Sequence, residues 1–235
     1  MKVSVFIPAY NEEKIIEENI LTVFRKLRSL GKDFEIFIVD DTSSDKTGKI
    51  GNALAKKHRE INYLRYENGP SRRENLAASF HKAKGSIIIY MDLDLATSLA
   101  HLEQLINEIE FNKNDVAIGS RYLGTKAKRE VSRRIISVCY NTFMRTYFGS
   151  QVKDHQCGFK AFKKDVLLQL VKESGYDKKF VRGWFWDTEI LLRAQKHHFR
   201  IKEFPVKWRY GDSSSFILKR EFRMMNYVLR LKKRL

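Results

Sequence analysis

The most constraining feature of this sequence is a regular alternation of two kinds of segment. Short segments rich in β-branched residues predict strands at 3–7, 34–39, 61–65, 87–91 and 116–119. Longer segments with apolar residues at helical spacing predict helices at 11–30, 46–58, 74–84 and 99–111. Asn11 is the predicted N-cap of the first helix. Strands separated by such helices predict an α/β protein with a mainly parallel sheet and helices on both faces.

The chain is long enough for one sizeable domain with an appendage. It has 235 residues, of which 43% are hydrophobic and 12% aromatic, and these proportions are typical of a folded protein with a substantial core. No internal repeat, low-complexity tract or proline-rich linker divides the sequence. We therefore expect one domain at 1–215, followed by a basic amphipathic helix at 216–235.

The charge balance of the chain is strongly basic. Lys and Arg number 45 against 28 Asp and Glu, which gives a net charge of +17 and indicates a polyanionic partner: nucleic acid, anionic lipid or a phosphorylated substrate. Cys139 and Cys157 are too few for a disulfide framework. The chain opens without a leader pattern, and no apolar run approaches the ~18 residues of a membrane span, so any membrane attachment is expected to be peripheral.

Two aspartates, Asp92 and Asp94, follow directly after the predicted strand at 87–91. Open α/β sheets bind ligands beyond the carboxyl ends of their strands, so these carboxylates are expected at the ligand crevice. Hard oxygen ligands suit Mg²⁺ or Mn²⁺, and Mg²⁺ is commonly held by one or two carboxylates together with substrate phosphates. The pair therefore predicts a site for a metal ion and a diphosphate. The alternative is a strand that ends in a solvated acidic turn.

Two segments combine basic residues with apolar ones at helical spacing. One spans 129–148, and the other spans 216–235, where Leu229 ends an apolar stripe. Basic amphipathic helices are typical of membrane surfaces, so both segments are predicted to contact one. The alternative for the C-terminal segment is a helix packed on the domain with a solvated basic face.

Several motifs, in order along residues 1 to about 215, resemble those of the inverting family 2 glycosyltransferases of the GT-A fold. They are VSVFIPAYNEE at 3–13, VDDTSSDKT at 39–47, DLD at 92–94, IGSR at 118–121, DHQCGFKAF at 154–162, WDTE at 186–189 and EFPVKW at 203–208. The last three narrow the resemblance to the polyprenyl-phosphate sugar synthases, the group of dolichyl-phosphate mannose and glucose synthases.

The resemblance implies a nucleotide-sugar donor, UDP-glucose or GDP-mannose, bound together with Mg²⁺ or Mn²⁺. The implied nucleotide-sugar-binding residues are Pro8, Tyr10, Glu12, Val39, Asp41, Asp92, Leu93 and Asp94, with Asp92 and Asp94 as the metal ligands. The implied catalytic residues are Asp94, Asp187 and Arg121, and Asp187 with Glu189 would shape the sugar and acceptor site. The alternatives are surface packing for Tyr10, a first-turn helix acid for Glu12, and helix caps for Asp40 and Asp41. For Asp187 and Glu189 the alternative is a purely structural role.

The acceptor implied by the resemblance is dolichyl or polyprenyl phosphate. Its phosphate would be held by Arg121, Arg133, Ser137 and, as a looser match, Arg209. A phosphate monoester has a second pKa of ~6 and so already carries an oxyanion near neutral pH, which removes the need for a strong general base. Arginine side chains suit the binding of such a phosphate. A solvated basic face is the alternative for Arg121 and Arg209.

The chain departs from the family pattern at three places. Ala96 stands where mannose-type synthases carry a glutamine, which leaves the third metal ligand open and favours the glucose-type branch. The loop GPSRRE at 69–74 replaces a glycine- and lysine-rich pattern, and it either helps to cradle phosphates or is a solvated loop. Ser215-Phe216 replaces a Ser-Lys pair.

These observations predict an enzyme that transfers one hexose, with inversion, from a nucleotide sugar to dolichyl or polyprenyl phosphate at the cytoplasmic face of a membrane. A membrane-embedded partner subunit is an alternative route to the lipid. The first alternative function is a GT-A enzyme with a sugar-hydroxyl acceptor on a surface glycan, for which Asp187 would be an essential base. The second is a basic nucleic-acid-binding protein, but the acidic residues expected in the crevice argue against a nucleic-acid partner.

Overall fold

The computed structural model describes residues 1–67, 69, 73–124, 131–175, 182–183, 185–209 and 227–235, with the side chains of 131–134 left out. The strands in these ranges are β1 (Val3–Ala9), β2 (Phe34–Asp40), β3 (Ile61–Arg65), β4 (Ile87–Met91), β5 (Val116–Ser120), β6 (Phe159–Lys163) and β7 (Ile201–Pro205). The helices are α1 (Ile16–Ser29), α2 (Thr47–Lys57), α3 (Arg73–Ser79), α4 (Leu102–Glu110), α5 (Val131–Phe148), α6 (Lys164–Ser174) and α7 (Phe185–Lys196).

The seven strands form one sheet with the order β3-β2-β1-β4-β6-β5-β7. β1 pairs in parallel with β2 and β4, β2 with β3, and β5 with β7, whereas β6 runs antiparallel to both β4 and β5. The predicted α/β class and the mainly parallel sheet are therefore confirmed, and each of the five predicted strands is present.

The sequence pattern does not predict β6 or β7. β6 has the sequence FKAFK, and its Lys160 is fully buried, which a pattern of apolar residues cannot anticipate. The charge of Lys160 is compensated by Asp187, whose Oδ1 lies 3.0 Å from Nζ. β7 is a strand in which only Phe204 is buried, so its apolar signal is weak.

The predicted cap of the first helix is wrong. Asn11 has a positive φ of 54°, and α1 begins only at Ile16. The Asn11 carboxamide instead accepts a hydrogen bond of 2.8 Å from the Ser44 backbone N–H, while the hydroxyl of Ser43 accepts one of 3.0 Å from the Asn11 N–H. Asn11 thus joins the loop after β1 to the loop after β2, a tertiary contact that outweighs local capping.

Helices cover both faces of the sheet and bury a separate apolar cluster on each. Successive residues of β1 alternate between the two clusters: Val5 and Ile7 pack on one side, and Phe6 packs on the other. Because both faces are covered, β2, β4 and β5 are buried at every residue instead of alternating between buried and exposed positions. The third predicted helix ends in a 3₁₀ turn, Phe80–Lys82, and the fourth begins with one, Leu99–His101.

A third apolar cluster joins α5 and α7 to the C-terminal helical segment, residues 227–234. Val228 and Leu231 of that segment are 2% exposed and pack with Met144 of α5 and Leu192 of α7. Leu229 points away from the cluster and is 47% exposed. The described end of the chain is therefore packed on the domain, with one apolar side chain still accessible.

No helix within the described ranges is long and apolar enough to cross a bilayer. Both cysteines are free, Cys139 exposed on α5 and Cys157 buried just before β6.

Candidate functional site

The ends of β1, β2 and β4 lie side by side and form one sheet edge, here called the crevice. The parallel register places Ala9 opposite Asp40, so the residues that follow β1 and β2 emerge together. β4 pairs in parallel with the other side of β1, which brings Asp92 and Asp94 to the same edge. The predicted donor-binding residues are therefore gathered at the position where open α/β sheets bind ligands.

The two neighbouring aspartates after β2 have different surroundings. Asp40 is fully buried and accepts hydrogen bonds from the Ser43 N–H at 2.8 Å, from the Arg65 guanidinium at 3.3 Å and from the Tyr63 hydroxyl. Asp41 is 3% exposed, and its Oδ1 accepts from the Asn75 side-chain amide at 2.9 Å. Asp40 therefore stabilises the loop and the neighbouring strand, and Asp41 is joined to α3.

The remaining predicted donor residues differ in accessibility. Tyr10 is 39% exposed and Pro8 is partly buried, so both offer surface at the crevice. Val39 and Leu93 lie in the core at 0% and 4% exposure, which limits any contact with a nucleotide to their backbone atoms. Burial raises the pKa of Glu12, and the nearby carboxylates Asp94 and Asp45 raise it further. Negative charge is thus concentrated where a cation would be favourable.

The geometry around Asp92 and Asp94 fits a divalent metal ion. The Asp92 carboxylate lies beside Gly158. A Cβ added at position 158 would lie 1.8 Å from Asp92 Oδ2, so only glycine at that position leaves room for the carboxylate. Asp94 Oδ1 accepts from the Ala96 N–H at 3.0 Å. Burial raises the pKa of Asp94, and the charge of Asp92 raises it further. A cation bound by both carboxylates would relieve that repulsion.

This pair is not a complete metal cage. Among the residues that the structure describes, no group of three or more His, Cys, Asp or Glu side chains is placed to hold a metal. Two carboxylates with the remaining positions open match Mg²⁺ sites that are completed by substrate phosphates and water. Both backbone polar groups of Ala96 are hydrogen-bonded within the protein. Its N–H donates to Asp94, and its carbonyl accepts from the Arg209 N–H at 2.7 Å.

Asp187 lies beneath the crevice in a buried ionic cluster. It is 3% exposed, and its Oδ1 accepts from Lys160 Nζ at 3.0 Å and from the Tyr90 hydroxyl at 2.9 Å. Its Oδ2 lies 3.2 Å from Arg73 Nε. Although burial opposes ionisation, Lys160 and Arg73 lower the pKa of Asp187 below its ordinary value. Asp187 is therefore a buried, ionised and fully engaged carboxylate.

Glu189 belongs to a different cluster, although it is only two residues from Asp187. It is fully buried and pairs with Arg182 at 3.2 Å, with Arg193 at 2.9 Å and with the Tyr227 hydroxyl at 2.8 Å. Arg182 also pairs with Glu74 of α3 at 3.1 Å. This second cluster joins α3, α7 and the C-terminal helical segment, so the structure separates the two acids that the sequence motif placed together.

On the predicted acceptor side, Arg121 is held by a buried aspartate. Its Nε and Nη2 each donate to Asp154 at 2.7 Å, and its backbone N–H donates to the same carboxylate at 2.9 Å. Although burial opposes both charges, each holds the other ionised: the pKa of Asp154 is lowered, and that of Arg121 is raised. The guanidinium also lies 5.7 Å from the ring of Trp208. A guanidinium has five N–H donors, so the pairing with Asp154 does not exhaust it.

The other predicted acceptor residues lie at different depths. Ser137 on α5 is 7% exposed, and its hydroxyl is hydrogen-bonded to that of Tyr122, the residue after Arg121. Arg209 is exposed. Arg133 lies in the first turn of α5, and its side chain is outside the described residues. The structure thus brings Arg121 and Ser137 together through Tyr122.

Several residues of the site were not assigned a role by sequence reasoning. Asp154 and Gly158 lie in the DHQCGFKAF motif, which signalled the family but not what each position does. Glu203 accepts from the Asp154 N–H at 2.8 Å and from the Lys153 N–H at 3.0 Å, and so fixes the loop that carries Asp154. His155 is bonded to Ser150 and Asn141, each at 2.8 Å. The contacts of Asp154 with Arg121 and Glu203 join residues 33 and 49 positions apart, which no local pattern identifies.

Comparison with known proteins agrees with this geometry. Residues 4–171 match the family described as Glycosyl transferase family 2. This chain belongs to that family. The family resemblance seen in the sequence motifs is therefore confirmed.

Curated relatives resemble nearly the whole of this chain. Glycosyltransferase AglD of Haloferax volcanii is 35% identical over 98% of this chain, which spans 37% of that protein. The dolichyl-phosphate beta-glucosyltransferase ALG5A of Trichomonas vaginalis is 29% identical over 97% of this chain and 72% of its own length. That of Saccharomyces cerevisiae is 29% identical over 92% of this chain and 69% of its own length. The chain thus spans about a third of AglD and about seven tenths of the two glucosyltransferases.

Solved structures confirm the GT-A fold. Glucosyl-3-phosphoglycerate synthase of Mycobacterium tuberculosis, in complex with Mn²⁺, UDP and glucosyl-3-phosphoglycerate, matches with a TM-score of 0.67 and 17% identity, covering 97% of this chain and 77% of that one. The mannosyltransferase PcManGT of Pyrobaculum calidifontis, in complex with GDP-Man and Mn²⁺, matches with a TM-score of 0.60 and 15% identity, covering 90% and 58%.

Proposed function

We propose that this protein transfers a hexose, with inversion, from a nucleotide sugar to a dolichyl or polyprenyl phosphate. Family membership supports glycosyl transfer, and the names of the relatives support the lipid-phosphate acceptor and glucose as the sugar. The unit responsible would be the domain at 1–215, with 216–235 as its basic C-terminal helix.

The observation that carries the proposal is the surface around Ser137. Its hydroxyl is hydrogen-bonded to that of Tyr122, the residue after the acceptor-side Arg121. Three aliphatic side chains on the other sides of α5 are exposed, by 57% for Ile135, 42% for Ile136 and 42% for Val138. One helix thus presents a predicted phosphate-binding group toward the domain and apolar surface toward solvent, which suits an acceptor that has a phosphate head and a hydrocarbon tail.

On the donor side, the chain supplies carboxylates and surfaces at the crevice. Tyr10 would pack against the nucleoside, and Asp41 and Glu12 would accept its hydrogen bonds. Asp92 and Asp94 would hold Mg²⁺ or Mn²⁺, whose chemistry is to neutralise the diphosphate that leaves. The metal-bound neighbours support a divalent ion in this fold, and the mutual repulsion of Asp92 and Asp94 supports it for this chain.

The acceptor phosphate would act as the nucleophile without a side-chain base. Its oxyanion would be oriented by Arg121, Arg133 and Ser137, with Arg209 at the exposed rim. Asp187 is buried and tied to Lys160, Arg73 and Tyr90, so its place is structural support beneath the sugar site and not proton abstraction. This arrangement favours a phosphate acceptor over a sugar hydroxyl, which would need a free base.

We further propose that the protein works at the cytoplasmic face of a membrane, bound through the exposed α5 side chains and Leu229 together with its basic surface. A net charge of +17 complements anionic lipid head groups. A membrane-embedded partner subunit would be a second route to the same lipid.

The direct test uses the full chain with radiolabelled UDP-glucose or GDP-mannose, polyprenyl phosphate and Mn²⁺, followed by organic extraction. We expect label in the organic phase only with the lipid phosphate present, and a product whose anomeric configuration is opposite to that of the donor. The dephosphorylated polyprenol is the control and should accept nothing. Transfer of label to a glycan hydroxyl but not to lipid phosphate would refute the proposed acceptor.

A further inference from the structure

Arg73 occupies an unexpected position for a residue of the loop at 69–74. It is the first residue of α3, and its side chain is only 15% exposed. Its guanidinium lies between two carboxylates: Nη2 is 3.2 Å from Asp92 Oδ1, and Nε is 3.2 Å from Asp187 Oδ2. One arginine therefore joins a predicted metal ligand to the buried ionic cluster beneath the crevice.

The buried cluster does not depend on Arg73 alone for its charge balance. Asp187 already pairs with Lys160, which is fully buried and 3.0 Å away, and accepts the Tyr90 hydroxyl as well. Asp92 differs, because its side chain is 45% exposed and Arg73 is the cation bonded to it within the described residues. Asp187 thus holds the Arg73 guanidinium in place, and the positive charge of that guanidinium faces Asp92.

We infer that Arg73 is a resident counter-ion that competes with the divalent metal for Asp92 and makes tight metal binding depend on the nucleotide diphosphate. This inference rests on the proposed metal-dependent transfer. A positive guanidinium bonded to Oδ1 blocks one ligand atom and repels an incoming cation. Asp187 holds the other side of the same guanidinium at 3.2 Å, so Arg73 stays directed at Asp92.

The diphosphate changes this balance because it brings negative oxygens to the crevice. Those oxygens complete the coordination that two carboxylates leave open, and they offer Arg73 an anionic partner in place of Asp92. The metal and the nucleotide are then expected to bind with positive coupling, each strengthening the other by the same factor. Arg73 is a positioning residue in this scheme: it sets the state of Asp92 and takes no part in bond breaking.

The test measures Mn²⁺ binding to the full chain by the loss of the free-ion EPR signal, without any turnover. Three proteins are titrated with and without UDP: the unchanged chain, Arg73→Gln and Arg73→Lys. For Arg73→Gln we expect Mn²⁺ alone to bind roughly tenfold more tightly, because a like charge beside the site is removed. The ratio of the Mn²⁺ affinity with UDP to that without UDP should fall by a similar factor. Arg73→Lys keeps the charge and should stay close to the unchanged chain in both measurements.

Arg65→Gln is the matched control. Like Arg73, Arg65 pairs with a buried carboxylate at this sheet edge, since it lies 3.3 Å from Asp40. Asp40, however, is not a predicted metal ligand. The Mn²⁺ affinity of this control should not change, and thermal unfolding of each variant shows whether the fold is kept. If Arg73→Gln is folded and binds Mn²⁺ alone as weakly as the unchanged chain, or more weakly, the counter-ion role is refuted while the proposed transfer stands. If no protein binds Mn²⁺ even with UDP, the metal site itself is refuted, and this inference with it.

Discussion

Arg121 and Asp154 form a buried pair joined by two side-chain hydrogen bonds of 2.7 Å, and the Arg121 backbone N–H adds a third at 2.9 Å. The Asp154 side chain has 0% exposure and that of Arg121 has 8%. The arginine assigned to the acceptor phosphate is therefore also a structural partner of the loop before β6. A substitution at Arg121 has to be interpreted in terms of both roles.

Arg121→Ala should destabilise the fold, because it leaves the Asp154 carboxylate buried without its cation. Breaking one side of a buried ion pair typically costs about 3–5 kcal/mol. The measurement is urea unfolding followed by circular dichroism. Adding Asp154→Asn should recover part of the loss, since the uncompensated charge is removed. A single variant as stable as the unchanged chain would show that water reaches Asp154.

Arg133→Ala should weaken use of the lipid phosphate. Losing one charge-assisted contact to a phosphate should cost roughly 1.5–3 kcal/mol in kcat/KM for the acceptor. The KM for the nucleotide sugar should stay unchanged. Arg145→Ala is the matched control, because Arg145 is an exposed arginine on the same helix. An equal loss of affinity for the nucleotide sugar would indicate that Arg133 contacts the donor and not the acceptor.

Asp94→Ala should abolish metal-dependent turnover while the protein stays folded. The carboxylate is half of the pair proposed to hold the ion, and the charge stabilisation that a metal supplies is worth several kcal/mol, so a fall of about a hundredfold or more is expected. Excess EDTA should have the same effect on the unchanged chain. The control is Asp165→Ala in the exposed first turn of α6, which should keep full activity. Undiminished turnover in EDTA would argue against any role for a metal.

His155 should make the fold less stable in mild acid. Burial lowers its pKa from 6.5 to about 4, so in this window the unfolded chain binds a proton that the folded chain does not. Stability is therefore highest above pH 6.5 and falls as the pH approaches 4, by about 2 kcal/mol at pH 5 from this group alone.

The measurement for His155 compares urea unfolding at pH 7.5 and pH 5. His155→Asn should lose this part of the pH dependence, whereas His81→Asn, at an exposed histidine, should keep it. Identical pH profiles for all three proteins would mean that His155 is protonated in the folded state or that its burial carries no cost.

Adsorption to anionic vesicles should depend on the exposed α5 side chains. Ile136→Ser combined with Val138→Ser removes apolar surface whose full burial would be worth about 1.5–3 kcal/mol per side chain, so binding should fall about tenfold or more. Phe111→Ser is the control, because Phe111 is 64% exposed at the end of α4. Cosedimentation should also weaken with salt, through screening of the basic residues. Equal binding by both variants would place the contact elsewhere on the protein.

These substitutions are better probes than deletion of 216–235. Val228 and Leu231 belong to the cluster shared with α5 and α7, and Tyr227 bonds to Glu189. A truncated chain would therefore lose stability as well as membrane contact.

The sequence by itself determined the α/β class, the first five strands and the edge of the sheet at which the proposed donor-binding residues gather. These features depend on local periodicity and on strand ends, which short segments encode directly. The family was identified separately, from the resemblance of ordered motifs. The carboxylates Asp92 and Asp94 were located for the same reason: they follow an apolar strand whose carboxyl end must face the crevice.

Only the tertiary structure decided which charged groups meet. Lys160 lies in a strand that the sequence pattern did not predict, and its charge is compensated by Asp187, 27 residues later. Arg73 was placed in a loop by the sequence analysis, and in the structure it bridges Asp92 and Asp187. Pairing between distant charges follows from how the chain packs, because burial makes an unpaired charge costly wherever its partner lies in the sequence. Sequence patterns therefore located the edge of the sheet that forms the crevice, and packing determined which of its charged residues are held in ion pairs.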